Sequence, residues 1–138
     1  MNSKHWELVV FFGGLLLAAI PAVAHHSVAA EYDFDKPVEF TGTLTQMEWI
    51  NPHAWMHIDV KKADGTVDEW MIETGTPNTL LRRGFTRDSL KNGTEVVVDG
   101  YQSKDGSLRA NGRDVTLPNG QTLFLGTSNP EDQDKSKN

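Results

Sequence analysis

The sequence contains no cysteine. Disulfides, zinc–thiolate centres, iron–sulfur clusters and covalently attached haem are all excluded, so packing alone must hold the fold together. Positive charge is scarce too: 13 Lys and Arg stand against 19 Asp and Glu, for a formal net charge of −6. Nucleic-acid affinity comes largely from Lys and Arg that neutralise phosphates, so no nucleic acid is expected as a partner. Catalytic signatures are missing as well. The chain has no Gly-x-Ser-x-Gly elbow, no phosphate-binding glycine loop and no His-Glu-x-x-His pattern. Carboxylates such as Glu69 and Glu73 are plentiful, yet nothing in the pattern singles out an acid–base pair. The expectation is a binding protein, not an enzyme.

The apolar run from Leu8 to Ile20 is about 13 residues, against the roughly 20 that a membrane-spanning helix needs. What is there instead is an export signal. Lys4 supplies a positive start, Pro21 stops the run, and Ala22-Val23-Ala24 has the small-x-small pattern of a signal-peptidase site. Residues 1–24 therefore read as a cleaved signal peptide. The expected product is periplasmic or secreted, begins at His25 and keeps no stable membrane anchor. The segment removed carries one base, Lys4, and one acid, Glu7, so the net charge is unchanged by cleavage. At the other end, residues 128–138 contain no apolar side chain and read as a disordered tail. Residues 25–127 are left as one domain, long enough to bury a core.

Within that domain a period of two dominates. Val38 to Thr45 alternates apolar and polar residues, Gly42 in its middle suggests a bulge or a sharp coil, and the strand continues out of phase through Met47 and Trp49 to Asn51-Pro52. In Ala54 to Lys61, Met56, Ile58 and Val60 share one face and Trp55, His57 and Asp59 the other. A tight turn at Ala63-Asp64-Gly65-Thr66 leads into Val67 to Thr74. The period then changes: Thr76 caps a short helix with Pro77 at its first position, and Gly84 closes it. Two strands follow, Glu95 to Gln102 and Leu108 to Leu117, with a short last one at Gln121 to Leu125. Three strands, a helical insert and two or three more strands give an all-β protein with a short helical insert. This is the order of a small OB-type five-stranded barrel; a small open β-sandwich satisfies the same pattern.

Of the five histidines, His5 falls in the signal peptide. Cleavage after Ala24 would make His25 the N-terminal residue, and its α-amine, with a pKa near 8, is partly neutral at pH 7. Amine and imidazole of one residue can then chelate one metal ion, and an all-nitrogen site favours copper. His26 adds a second imidazole. His53 and His57 cannot both join such a site, because four residues of strand span about 13 Å. His53, beside the Asn51-Pro52 turn, is the candidate ligand; hydrogen bonding to backbone groups is its alternative role. A metal-free alternative places a groove around Trp55 and His57 that takes a peptide, a glycan or a partner protein. Trp49 and Trp70 are expected in the core, and Trp55 is expected to be the exception. Arg82, Arg83 and Arg87 flank the helical insert, and the run from Arg109 to Arg113 could line an anion pocket.

His25-His26-Ser27, Asn51-Pro52-His53, Leu80-x-Arg82-Arg83-Gly84 and Asn111-Gly112-Arg113 together resemble a family of secreted bacterial proteins classed as a domain of unknown function. The resemblance covers residues 25–125 and implies a periplasmic single-domain β protein, without implying an activity. A looser similarity, confined to His25, is to copper proteins whose N-terminal histidine braces the metal.

Overall fold

The computed structural model describes residues 28–127 and 129–135. His25, His26 and the expected signal peptide and cleavage site lie outside the described residues. The elements in chain order are α1 (Val28–Glu31), β1 (Tyr32–Glu48), β2 (Trp55–Lys61), β3 (Val67–Glu73), α2 (Pro77–Arg82), β4 (Glu95–Ser103), β5 (Arg109–Thr116), β6 (Thr122–Phe124) and α3 (Pro130–Lys135). Hydrogen bonding orders the strands β3-β2-β1-β4-β5-β6, and β3 also pairs with β5. That last pairing is parallel, Met71 to Arg109, Ile72 to Ala110 and Glu73 to Asn111. It joins β3, at one margin of an otherwise antiparallel sheet, to β5, so β1, β2, β3, β5 and β4 form a closed ring. The fold is the all-β, OB-like barrel expected, with α2 between the third and fourth strands.

β1 is longer than the sequence pattern suggests, starting at Tyr32 and running 17 residues. It serves two neighbours: residues from Tyr32 to Thr43 pair with β4 and those from Thr43 to Glu48 with β2. The phase change falls between Leu44 and Gln46, not at Gly42. Skipping Thr45 returns Met47 to the core face that Val38, Phe40 and Leu44 occupy. Gly42 has another cause: a Cβ there would lie 2.8 Å from the carbonyl oxygen of Asp59 and would overlap Ile58. The position is bare because β2 crosses too close for any side chain.

Inward residues fill the ring. Leu44, Met56, Ile58, Ile72, Val96, Val98 and Val115 are all at most 1 % exposed, as the period-two faces require. α2 plugs the barrel. Thr76 Oγ1 accepts from the Thr79 amide at its start. At its end the Gly84 amide bonds the Leu81 carbonyl and the Phe85 amide the Leu80 carbonyl, the paired bonds of a Schellman stop. Gly84 sits at φ +85°, so the stop needs glycine. Leu80 and Phe85 are thereby both turned into the core. Trp49, just past β1, packs its ring 6.0 Å from that of Phe85. Trp70 is half-buried, 4.7 Å from the Phe40 ring.

The tail corrects an expectation. Pro130–Lys135 is helical, where composition alone pointed to disorder from residue 128 onward. It is fastened by polar contacts, not apolar ones. Tyr101 Oη donates to Asp132 Oδ2 at 2.5 Å, and Asn129 Nδ2 donates to Tyr101 Oη at 3.1 Å. Asp132 is buried as a result.

The β4–β5 turn holds α1. The Lys104 amide bonds the Glu31 carbonyl at 2.9 Å and Lys104 Nζ the Ala29 carbonyl at 2.6 Å. Asp105 stiffens this turn, accepting from the Ser107 amide at 2.8 Å and Ser103 Oγ at 2.7 Å. The bonds from Ser107, then Ser103, hold its carboxyl down at about 2. A depressed carboxyl stabilises the fold above the unfolded-chain value near 4 and loses that contribution as pH falls toward 2. Referred to the exchange rate of an unstructured chain at each pH, the Ser107 amide is therefore expected to be better protected than in Asp105→Asn at pH 5 and to lose that advantage by pH 2. Equal behaviour of the two proteins would show that the carboxylate is idle.

Candidate functional site

The loop after β1 is stitched to the end of β3. The Ala54 amide bonds the Gly75 carbonyl at 3.1 Å, and the Thr74 amide bonds the Ala54 carbonyl at 3.0 Å. Thr74 Oγ1 adds a bond to the same Ala54 oxygen. These bonds place His53 beside Glu73 and Thr74. They also bring Val28 and Glu31 of α1, Pro52, His53, Trp55, Glu73 and Arg109 around one cleft of about 280 Å³.

Glu73 lies at its centre and is only 6 % exposed. One carboxylate oxygen accepts from Tyr32 Oη at 2.6 Å; the other lies 3.5 Å from His53 Nδ1. Burial, followed by the bond to Glu73, pushes the Tyr32 hydroxyl far above its ordinary value, so it remains a proton donor throughout the physiological range. Arg109 reaches over the pair. Its guanidinium is 3.4 Å from Tyr32 Oη, 3.7 Å from Glu31 and 5.4 Å from the centre of the Trp55 ring. A buried carboxylate needs compensating charge, and the strongest bond to Glu73 comes from a neutral phenol. The cleft is therefore electrostatically suited to one more cation.

His53 makes the backbone hydrogen bond that was its alternative role. Its Nδ1 lies 3.0 Å from the Thr74 carbonyl oxygen. A carbonyl can only accept, so Nδ1 carries the proton, and a neutral ring then has its lone pair on Nε2. Metal-ligating histidines are commonly oriented by such a bond from the other ring nitrogen.

The remaining candidates separate. His57 Nε2 is 2.8 Å from Glu48 Oε1 and lines a different cleft, with Thr45, Gln46, Asp59, Glu69 and Met71. Trp55 and His57 thus share a sheet face, and among the described residues they line different clefts. Among the described residues, Arg109 lines the first cleft and Arg113 pairs with carboxylates instead. A register break between Asp99 and Gly100 leaves Arg113 as the extra residue of β5, and its guanidinium pairs with Asp99 and Asp114. Among the described residues, no group of three or more His, Asp or Glu is placed to hold a metal. Any metal held at His53 requires ligands from elsewhere in the chain.

Glu73, Tyr32 and Arg109 are the residues whose site role the sequence did not disclose. Glu73 lies in the outward phase of β3, where alternation predicts exposure; α1 and the His53 loop cover it.

These features define a small closed β-barrel with a cleft, lined by charged and apolar side chains, where α1 meets the seam between β3 and β5. The chain belongs to the family of unknown function DUF6152, whose profile matches residues 14–112. No curated protein matches it. Among solved structures it is similar to the mitochondrial single-stranded DNA-binding protein Rim1 from S. cerevisiae. The identity is 15 % over 60 % of this chain and 94 % of that one, with a TM-score of 0.47. At that level of likeness, nothing about what Rim1 binds carries over.

Proposed function

We propose that this is an exported, non-enzymatic metal-binding protein, in which His53 and the processed N-terminus hold a copper ion at the cleft beside Glu73. The observation that carries this reading is the position of Val28, which lines the same cleft as His53 and Glu73. His25 lies three residues before Val28, and three residues of extended chain span roughly 10 Å. In this reading the amine and imidazole of His25, with the imidazole of His26, join His53 as ligands. Four nitrogen donors of this kind suit Cu(II). Support also comes from the bond between His53 Nδ1 and the Thr74 carbonyl, which in a neutral ring leaves the lone pair on Nε2, and from the buried carboxyl group of Glu73 beside that ring.

The test is a Cu(II) titration of the processed protein beside a version with one glycine added before His25 and beside His53→Ala. Moving the amine by one residue breaks the chelate, so at least a tenfold loss is expected from the addition, and a similar loss from removing His53. Equal, merely micromolar affinity in all three proteins would sink the reading. Intact mass of the secreted protein reports the cleavage site independently.

A further inference from the structure

His53 also borders a second cleft, of about 290 Å³, whose chemistry is opposite to that of the first. Among the described residues, no carboxylate lines it, although the chain as a whole carries a net charge of −6. Its cation is Arg83, which lies over the Phe124 ring at 4.4 Å from the centroid. Arg109 and Arg113 are engaged with Glu31, Asp99 and Asp114; Arg83 has no such carboxylate among the described side chains. Contact with the ring restrains the guanidinium and leaves its five N–H donors available.

Two hydroxyls line the same cleft. Thr76 Oγ1 and Thr79 Oγ1 are 3.0 Å apart, and Thr76 Oγ1 accepts from the Thr79 amide. The bond between the hydroxyls consumes one of their two protons, so one O–H remains to donate outward. Gly75 and Gly126 bring two backbones together here: a Cβ on Gly126 would lie 3.2 Å from the Gly75 Cα. The cleft walls are thus backbone where other residues would put side chains.

We propose that this second cleft binds a small oxyanion, a carboxylate or phosphate group, held by Arg83 with the hydroxyls of Thr76 and Thr79. A planar, restrained guanidinium in one cleft with a hydroxyl donor matches the fork of acceptors that either anion presents. The volume sits at the lower limit of ligand pockets, about 300 Å³, and suits a small molecule. The proposal uses no metal and stands or falls apart from the copper reading.

The test is amide chemical-shift titration of metal-stripped protein with sodium phosphate, sodium acetate and sodium benzoate, each at matched ionic strength. Saturable shifts are expected at Gly75, Thr76, Thr79 and Gly126 with at least one of the three. Arg83→Gln is expected to weaken binding about tenfold, the loss of one charge-assisted hydrogen bond. Arg87→Gln removes the same charge from a guanidinium that lies over Trp49 instead, and should leave binding unchanged. Tighter binding of phosphate or of benzoate identifies the class of anion. No saturable shift with any probe, or equal losses in the two arginine variants, would overturn the proposal.

Discussion

Phe85→Ala should cost about 3–5 kcal/mol of folding free energy. Phe85 is 1 % exposed and is delivered into the barrel by the backbone bonds that end α2. Truncation leaves a ring-sized hole between Leu80 and Trp49, and the surrounding strands are hydrogen-bonded in a closed ring that resists collapse. The lost contacts and the cavity therefore both count. For a domain of about 100 residues each kcal/mol lowers Tm by roughly 4–8 °C, so a fall of about 12 °C or more is expected. Urea unfolding of Phe85→Ala and Phe85→Leu checks the assignment, with the leucine variant recovering a large part of the loss. A cost below about 1 kcal/mol for the alanine variant would mean that α2 only rests on the barrel.

Gly100→Ala is expected to destabilise by about 3 kcal/mol, the upper end of ordinary overpacking. An added Cβ would overlap the Asn111 carbonyl oxygen and lie 3.2 Å from the Asn111 carbonyl carbon and the Gly112 Cα. These are backbone atoms of the paired strand, so no rotamer change relieves the clash. Gly100 also adjoins the register break that makes Arg113 the extra residue, so relief requires β4 and β5 to separate where Arg113 pairs with Asp99 and Asp114. Gly65→Ala is the matched comparison. Its φ is +86° with nothing within 4 Å of the added carbon, so it meets backbone strain alone, about 1–2 kcal/mol. Denaturant melts should rank Gly100→Ala clearly below Gly65→Ala, and a reversed order would refute the close-approach argument.

What could be read from the sequence was whatever depends on near neighbours. Met56, Ile58 and Val60 announced a strand face because strand geometry repeats every two residues. Thr76, Pro77 and Gly84 announced α2 because caps are local chemistry. The site was harder, because its parts meet through pairings distant in sequence. Glu73 joins Tyr32 across 41 positions, and no pattern around Glu73 distinguishes it from exposed Glu69. The bulge was foreseen from the change of phase but placed at Gly42, where a glycine marks a crossing strand instead. The tail was misread because composition measures apolar burial, and α3 is held by a tyrosine 31 positions away. His53 was found for a local reason, its place beside a turn.

The parallel join between β3 and β5 comprises three residue pairs, fewer than any other pairing of the ring. Glu73 and Arg109, which face the first cleft, both belong to it. The cleft and the closure of the barrel therefore share the same few peptide groups. When this join breathes open, the cleft comes apart, and whatever occupies the cleft must leave or hold the join shut. An occupant bridging the His53 loop and α1 should slow amide exchange at Met71 and Asn111 far more than at the β1–β4 ladder. Occupancy would then be recorded in the opening rate of the barrel itself.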